Sequence, residues 1–251
     1  MTSLQHFLGS TISLMWARND RVLRNRSQVL MYHSIGGNAN DDVRGLYSVS
    51  PTAFRNQIRI LSDLVSENHF VIVPFGSEHP GSISITFDDG YRDNLTIAAP
   101  LFAEYGFPFH VFLCPTFVES GKSEFLSRAD VQELAALDGA TLGVHGYSHT
   151  PLTTLHVADA KNELSSSRRW LEDLVQKPVT SMSYPHGAVN SKISTSAGEV
   201  GFTRAASSKF GPINSEQDPL NIPRIDIWSS DTNSSFKAKV EGKWDWMKWR
   251  T

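Results

Sequence analysis

Short apolar runs alternate with longer amphipathic stretches along most of the chain. The runs are rich in β-branched or aromatic residues, which is typical of strands. They predict strands at residues 29–32, 70–73, 83–87, 109–113, 142–144, 180–184, 203–206 and 222–225. Apolar positions at helical spacing predict helices after Ser50 and over residues 94–105, 129–137 and 157–175.

This alternation of strands and helices predicts a mostly parallel sheet, either a closed barrel or an open doubly wound sheet. A length of 251 residues suits one α/β barrel. No internal repeat, low-complexity tract or long linker divides the sequence. We therefore predict an amino-terminal helix and lead-in over residues 1–28 and one domain with a carboxyl-terminal tail over residues 29–251.

The amino-terminal stretch carries apolar residues at helical spacing from Leu4 to Met15, followed by four arginines between Arg18 and Arg26. A helix packed on the domain is one interpretation, and a helix resting on an anionic membrane surface is the other. The apolar stretch is interrupted by polar residues and no basic residue precedes it, so neither a signal peptide nor a membrane span is predicted. A cytoplasmic location is the resulting expectation.

Composition narrows the functional classes. The formal net charge is −3, and the absence of a basic excess argues against a nucleic-acid partner. The single cysteine, Cys114, excludes an internal disulfide framework. The balance of 40% hydrophobic and 20% charged residues is that of a globular protein.

Several chemically unusual residues directly follow predicted strands. They are His33, the pair Asp88 and Asp89, His145, and Pro185 with His186. In a β/α barrel the carboxyl ends of the strands form one face, so residues from distant parts of the sequence would meet there. This convergence predicts a functional site at that face.

Asp88 and Asp89 are adjacent carboxylates at the end of a buried strand, where they repel one another and are costly to desolvate. A cation would resolve this cost, because one carboxylate would bind it while the other stays free to accept a proton. A solvated turn is the alternative, since Asp-Gly is ordinary turn chemistry.

His145 and His149 lie four residues apart and can face one ion from a helical turn or from a folded loop. Pro151 disfavours a helix at the preceding residue, so a loop is favoured. Two histidine nitrogens and one carboxylate oxygen form a typical three-ligand zinc set that leaves positions open for water and substrate. A histidine pair alone is often incidental, but together with the aspartate pair it favours a metal site.

These residues resemble the polysaccharide deacetylase family that shares the chitooligosaccharide-deacetylase (NodB-like) homology domain. TFDDG at residues 86–90 matches the first motif of the family, and HGYSH at 145–149 matches the spacing of the second. SYPHG at 183–187 is similar to the third, and LMYHSI at 30–35 resembles an amino-terminal signature of one branch. The resemblance covers residues 29–228. Gly146 departs from the usual Ser or Thr, His186 from the usual Tyr, and the third motif lacks its usual arginine.

The resemblance implies a distorted (β/α)₇ barrel and a metal-dependent carbohydrate deacetylase. By similarity, Asp89, His145 and His149 would hold the metal. Asp88 would be the general base, and the backbone N–H of His186 would stabilise the oxyanion. The ligand set favours Zn²⁺, although Co²⁺, Ni²⁺, Fe²⁺ or Mn²⁺ could occupy similar ligands.

The general acid does not follow from the resemblance, because the family commonly takes it from a histidine near the carboxyl end and no histidine follows His186. His33 is the leading candidate and His186 the second. A structural hydrogen bond is the alternative role for His33. Arg224 is predicted to replace the missing arginine and to orient Asp88 through a charge-assisted bond, the alternative being a surface or purely structural arginine.

Tyr91, Tyr147, Pro185 and Trp228 lie near the motifs and are predicted to bind substrate, with ordinary packing as the alternative for each ring. The expected substrate and partner is an acetylated sugar or glycan precursor, with an N-acetyl group favoured. An O-acetyl esterase, an amidase acting on a small nitrogenous metabolite and a non-catalytic carbohydrate-binding module are the competing functions. The oligomeric state is left open.

Overall fold

The computed structural model describes residues 26–37, 42–67 and 69–250. The predicted amino-terminal helix, and with it the predicted membrane contact, lies outside these residues. Among the described residues, no helix combines the length and the apolar character needed to cross a bilayer.

Seven parallel strands close into a ring, which confirms the predicted (β/α)₇ barrel. The strands are β1 Ser27–Tyr32, β2 Ser34–Ile35, β3 Ser48–Val49, β4 Val71–Ile72, β5 Ser82–Phe87, β6 Phe109–Leu113, β7 Ala140–Val144, β8 Ser181–Ser183, β9 Arg204–Phe210 and β10 Ile222–Asp226. The ring runs in the order β1, β10, β9, β8, β7, β6 and β5, and β5 pairs back with β1. Strand β4 pairs with β5 outside the ring, and β2 and β3 form a separate pair.

Helices cover the outside of the ring. They are α1 Pro51–Ser66, α2 Ala99–Tyr105, α3 Pro115–Val118, α4 Arg128–Ala136, α5 Val157–Val175, α6 Ser191–Val200 and α7 Asn233–Val240. A π-helical turn, Asn94–Ala98, leads into α2. Ser50 caps α1 by accepting a hydrogen bond from the backbone N–H of Ala53, and Pro51 occupies its first turn, as the sequence predicts.

The barrel strands are buried on both sides, as expected when helices cover a parallel sheet. All residues of β1, β5 and β6 are buried. Val29, Phe112 and Ile222 come from three strands of the ring and pack together in one cluster with Phe75 and Ala206, so these side chains meet in the barrel interior. The larger core cluster packs α1, α2 and α5 against the strands.

The carboxyl-terminal segment is fastened to β10 by a buried lysine. Lys239 in α7 donates from Nζ to Asp231 Oδ2 at 2.6 Å and to the backbone oxygen of Asp226 at 2.8 Å. The same Nζ lies 3.5 Å from the centre of the Trp228 ring, close enough for a cation–π interaction. Burial lowers the pKa of Lys239, while the Asp231 carboxylate opposes that shift.

Replacing Lys239 with Met should lower the free energy of unfolding by about 3–5 kcal/mol, because it leaves the Asp231 carboxylate buried without a compensating cation. Urea unfolding of the purified variant measures this change. Lys237→Met removes an exposed lysine from the same helix and is the matched control. Equal stability of the two variants would contradict the assignment of a stabilising role to the buried pair.

Candidate metal centre

The ring brings the predicted site residues to one face. His33 follows β1, Asp88 and Asp89 follow β5, His145 follows β7, and His186 lies in the turn after β8. The strands that carry these residues are parallel, so the segments after them leave the barrel at the same end. The predicted convergence is therefore present in the structure.

Asp89, His145 and His149 form one compact cluster. Asp89 Oδ1 lies 3.5 Å from His145 Nε2 and 3.2 Å from His149 Nε2. One possible metal-ligand atom from each residue can be chosen so that all three atoms lie within 4.8 Å of one another. Residues 145–149 form a loop rather than a helix, as Pro151 led us to expect.

Hydrogen bonds at the opposite side of the His145 ring determine which nitrogen faces the cluster. Nδ1 lies 3.0 Å from the backbone oxygen of Ser183 and also bonds to Ser183 Oγ, which itself donates to Asp88 at 3.1 Å. Nδ1 is therefore the protonated nitrogen, and the lone pair of Nε2 points towards Asp89. Burial lowers the pKa of His145 to about 4, so the ring is neutral at pH 7.

This arrangement fits a divalent cation. The lone pair of the neutral His145 imidazole faces Asp89 Oδ1, with 3.5 Å between His145 Nε2 and that oxygen. Two electron-rich atoms placed this way repel one another unless a cation lies between them. Two imidazole nitrogens and one carboxylate oxygen are also the ligands that zinc and similar metals prefer.

The backbone at the site is held in an uncommon conformation. Asp89, His149 and His186 have φ angles of 75°, 62° and 56°, in the left-handed region that L-residues seldom adopt. Among the described non-glycine residues, only Gln176, at the end of α5, shares a positive φ. Strain of this kind persists where surrounding structure enforces it, and here it is concentrated on two cluster residues and the adjacent turn.

Asp88 forms a bidentate ion pair with a buried arginine. Both of its carboxylate oxygens lie 2.7 Å from the guanidinium nitrogens of Arg224, which is completely buried in β10. Burial by itself would raise the pKa of Asp88, but the charge of Arg224 and its hydrogen bonds hold it well below its usual range. The structure thus forms the charge-assisted bond predicted for Arg224.

Neighbouring groups hold Arg224 in place. Its Nε donates to the backbone oxygen of Ser207 at 2.9 Å, and one terminal nitrogen lies 3.2 Å from Thr86 Oγ1. Thr86 Oγ1 in turn donates to the backbone oxygen of Leu30 at 2.8 Å. Strands β1, β5, β9 and β10 therefore all contribute to the orientation of Asp88.

His33 lies beside both carboxylates. Burial raises the pKa of both Asp88 and Asp89, and charged or hydrogen-bonded partners lower it. The charge of His33 adds to this lowering in both cases, and other partners have larger effects. The ring packs on Tyr47 with 4.4 Å between ring centroids, and the backbone oxygen accepts a hydrogen bond from Asn94 at 3.0 Å. No described residue bonds to the buried His33 Nδ1, so the predicted alternative of a structural side-chain bond finds no support at that atom.

His186 is exposed at the rim of the site. Its ring lies 4.5 Å from that of His149 between centroids, and its Nε2 is 3.2 Å from the backbone oxygen of His149. Tyr147 is half-buried in the loop that carries the two histidines. It follows Gly146, where an added Cβ atom would lie 2.8 Å from Pro185 Cγ.

Three of the predicted substrate-binding residues are packed inside the protein. Tyr91 is 1% exposed and stacks on Phe125, with 5.0 Å between ring centroids, and Pro185 is buried. Trp228 is 5% exposed, and the Nζ of Lys239 covers its ring. The prediction that the rings of Tyr91 and Trp228 offer a face to a sugar is therefore corrected, because neighbouring side chains already occupy those faces. Tyr147 is the half-buried member of this set.

Sequence reasoning missed residues that act through others at the site. Tyr47 packs on His33, and Ser183 links His145 with Asp88. Glu163 in α5 accepts hydrogen bonds from the backbone N–H groups of Tyr147 and Ser148. Only Ser183 carried a signal, because it is the first residue of the third motif, which lacks its usual arginine.

Comparison with known proteins identifies a family. The family model described as polysaccharide deacetylase matches residues 76–205, which is just over half of the chain. The YxkH protein of Bacillus subtilis (strain 168), a polysaccharide deacetylase by name, is 24% identical over 219 residues. The match covers 85% of this chain and 75% of that protein.

Solved structures share the fold. The Streptococcus pyogenes deacetylase PplD, in complex with acetate, superposes with a TM-score of 0.75 and 19% identity, over 86% of this chain and 98% of that one. BC0361, a polysaccharide deacetylase from Bacillus cereus, gives a TM-score of 0.73 and 24% identity, over 85% of this chain and 68% of that one.

Arg224→Gln should destabilise the metal-free protein more at pH 7 than at pH 4. In the wild type the lowered pKa of Asp88 stabilises the fold above the ordinary carboxyl pKa of about 3.9, and this contribution is lost as the pH falls through the folded pKa. Without the guanidinium, burial raises that pKa, so the variant loses stability as the pH rises through it.

Urea unfolding with a chelator present, at several pH values from 4 to 7, measures this difference. Arg92→Gln, which removes a half-exposed arginine 3.7 Å from Asp130, is the control and should show no such trend. A destabilisation by Arg224→Gln that is constant with pH would contradict the role assigned to the pair.

Proposed function

Because the chain belongs to the polysaccharide deacetylase family, whose members hydrolyse acetyl bonds of carbohydrates, we propose that it removes an N-acetyl group from an amino sugar of a glycan or glycan precursor. The proposed reaction uses a divalent cation held by Asp89, His145 and His149. The observation that carries the proposal is the position of the Asp88 carboxylate beside this three-ligand cluster.

The two adjacent carboxylates take different roles in this proposal. A divalent cation bound to the cluster supplies a Lewis acid and lowers the pKa of water. Asp88 is the general base: it accepts the proton of the water that attacks the acetyl carbonyl carbon. Its lowered pKa keeps it ionised across the neutral range, and Arg224 and Ser183 hold its two oxygens in place.

The developing oxyanion is stabilised in part by the backbone N–H of His186. This residue lies in the turn after β8 at a φ of 56°, and its ring lies against that of His149, so its backbone is close to the cluster. A fixed N–H group at this place stabilises negative charge that develops on the acetyl oxygen without reorganisation of the protein.

His33 is the general acid that protonates the leaving amine, so that the carbon–nitrogen bond breaks and acetate and a free amine are released. Its position beside both carboxylates and its uncommitted Nδ1 support this role. An amine anion is a far poorer leaving group than an alkoxide, so a dedicated acid favours an amide substrate over an ester. Acetate is the product expected, and the related Streptococcus pyogenes enzyme was solved with acetate.

Asp88→Asn should reduce acetate release from acetylated hexosamine oligomers by at least about 100-fold, while the bound metal is retained. Asn has the same size but cannot accept a proton. His149→Ala should lose both metal and activity, since it removes a ligand. Acetate release and metal content are measured for both variants, with circular dichroism to verify folding. Full activity of Asp88→Asn, or no acetate from any N- or O-acetylated sugar despite a full metal site, would overturn the proposal.

His33→Ala should slow release from N-acetyl sugars by about 100-fold or more, but it should affect an aryl acetate far less. An aryl oxide leaves without protonation, so only the poor leaving group needs the acid. His186→Ala tests the second candidate in the same two assays. An equal loss on both substrates for His33→Ala, or a loss confined to the amide for His186→Ala, would remove His33 from this role.

A further inference from the structure

The loop that carries both cluster histidines is held by a carboxylate from the helix that follows it, α5. The backbone N–H groups of Tyr147 and Ser148 both donate to Glu163 Oε2, each at 2.9 Å. Glu163 lies in the first half of α5, whose Ala160 and Leu164 are fully buried against the core. The acceptor is therefore fixed to one of the long helices of the barrel.

The conformation of the loop creates the need for this acceptor. Gly146 has a φ of 66° and His149 a φ of 62°, so the chain between them turns sharply and makes no regular ladder. Consecutive N–H groups in such a turn point the same way and form a concave site for an anion. Gly146 has no side chain that could accept hydrogen bonds from these N–H groups, and an added Cβ atom would lie 2.8 Å from Pro185 Cγ.

Backbone hydrogen bonds fix the first half of the loop, and His186 Nε2 lies 3.2 Å from the backbone oxygen of His149 at its other end. The N–H of His145 donates to the backbone oxygen of Leu113 at 2.8 Å, and the backbone oxygen of Tyr147 accepts from the N–H of Thr116 at 3.1 Å. Both of these partners lie at or just after β6. Glu163 bonds from α5 to the two residues immediately before His149.

We propose that Glu163 is a positioning residue that holds His149 at the geometry required for metal binding and so sets the metal affinity of the site. It touches neither substrate nor metal; it acts through the backbone of Tyr147 and Ser148. The inference rests on the proposed metal site and adds to it a determinant outside the ligand set. Groups that orient ligands in this way typically change metal affinity about 10- to 100-fold when removed.

Glu163→Ala should raise the metal dissociation constant about 10- to 100-fold, as measured by competition with a chromogenic chelator. Glu163→Gln keeps an acceptor oxygen but loses the charge, and hydrogen bonds to ionised acceptors are about twice as strong, so its loss should be smaller. Asp173→Ala removes an exposed carboxylate from the same helix and should leave the constant unchanged.

Two further measurements separate positioning from a general loss of structure. Amide hydrogen exchange over residues 145–149 of the metal-free protein should be faster in Glu163→Ala than in the wild type, with exchange in β5 and β6 unchanged. The metal concentration for half-maximal deacetylation should rise, while kcat at saturating metal returns to within a few fold of the wild type.

A dissociation constant and a loop exchange rate equal to those of the wild type would overturn the role of Glu163. So would a loss of kcat that excess metal does not restore. Failure of the wild type to bind metal at all would instead overturn the proposed metal site itself, so the two proposals fail in distinguishable ways.

Discussion

The bidentate pair between Asp88 and Arg224 is the interaction on which the rest of the site depends. A carboxylate buried at the end of a strand is tolerated only with a compensating charge, and Arg224, itself fully buried, needs the same in return. The pair spans two strands on either side of β1, and Thr86, Ser183 and Ser207 supply further hydrogen bonds. Its geometry is therefore enforced by barrel closure rather than by the flexible parts of the chain.

Because Arg224 compensates the charge of Asp88, the neighbouring Asp89 can have a different function. The positive φ of Asp89 turns its carboxylate away from the arginine and towards His145 and His149. Two consecutive residues of one type thus have different electrostatic surroundings: one faces a cation of the protein, and the other faces two imidazole rings. Ser183 joins the two halves, because it bonds to both Asp88 and His145 and so couples the orientation of the base to that of a ligand.

The strands and long helices could be predicted because their apolar pattern is strong, and the limits of β6 and α5 are those expected. Helices α6 and α7 were missed: α6 is short and rich in serine, and α7 carries little helical periodicity. Type and spacing could predict a site formed by the histidine pair and one of the two aspartates, and the family resemblance implied that this aspartate is Asp89. The burial of individual aromatic side chains could not be predicted, so Tyr91 and Trp228 were assigned to substrate binding although both are buried. Glu163 had no signal either, since a glutamate on an amphipathic helix usually faces solvent.

The order of the strands has a consequence for biosynthesis. The first strand lies between the fifth and the tenth, and the partners Asp88 and Arg224 are 136 positions apart in sequence. During translation the ring cannot close, and the charge of Asp88 cannot be compensated, until the tenth strand has left the ribosome. Such long-range pairing makes folding slow and leaves incomplete chains with open sheet edges. The barrel and its site are therefore completed in a single late step, and chains that end before β10 are expected to be substrates for chaperones and proteases rather than partly active proteins.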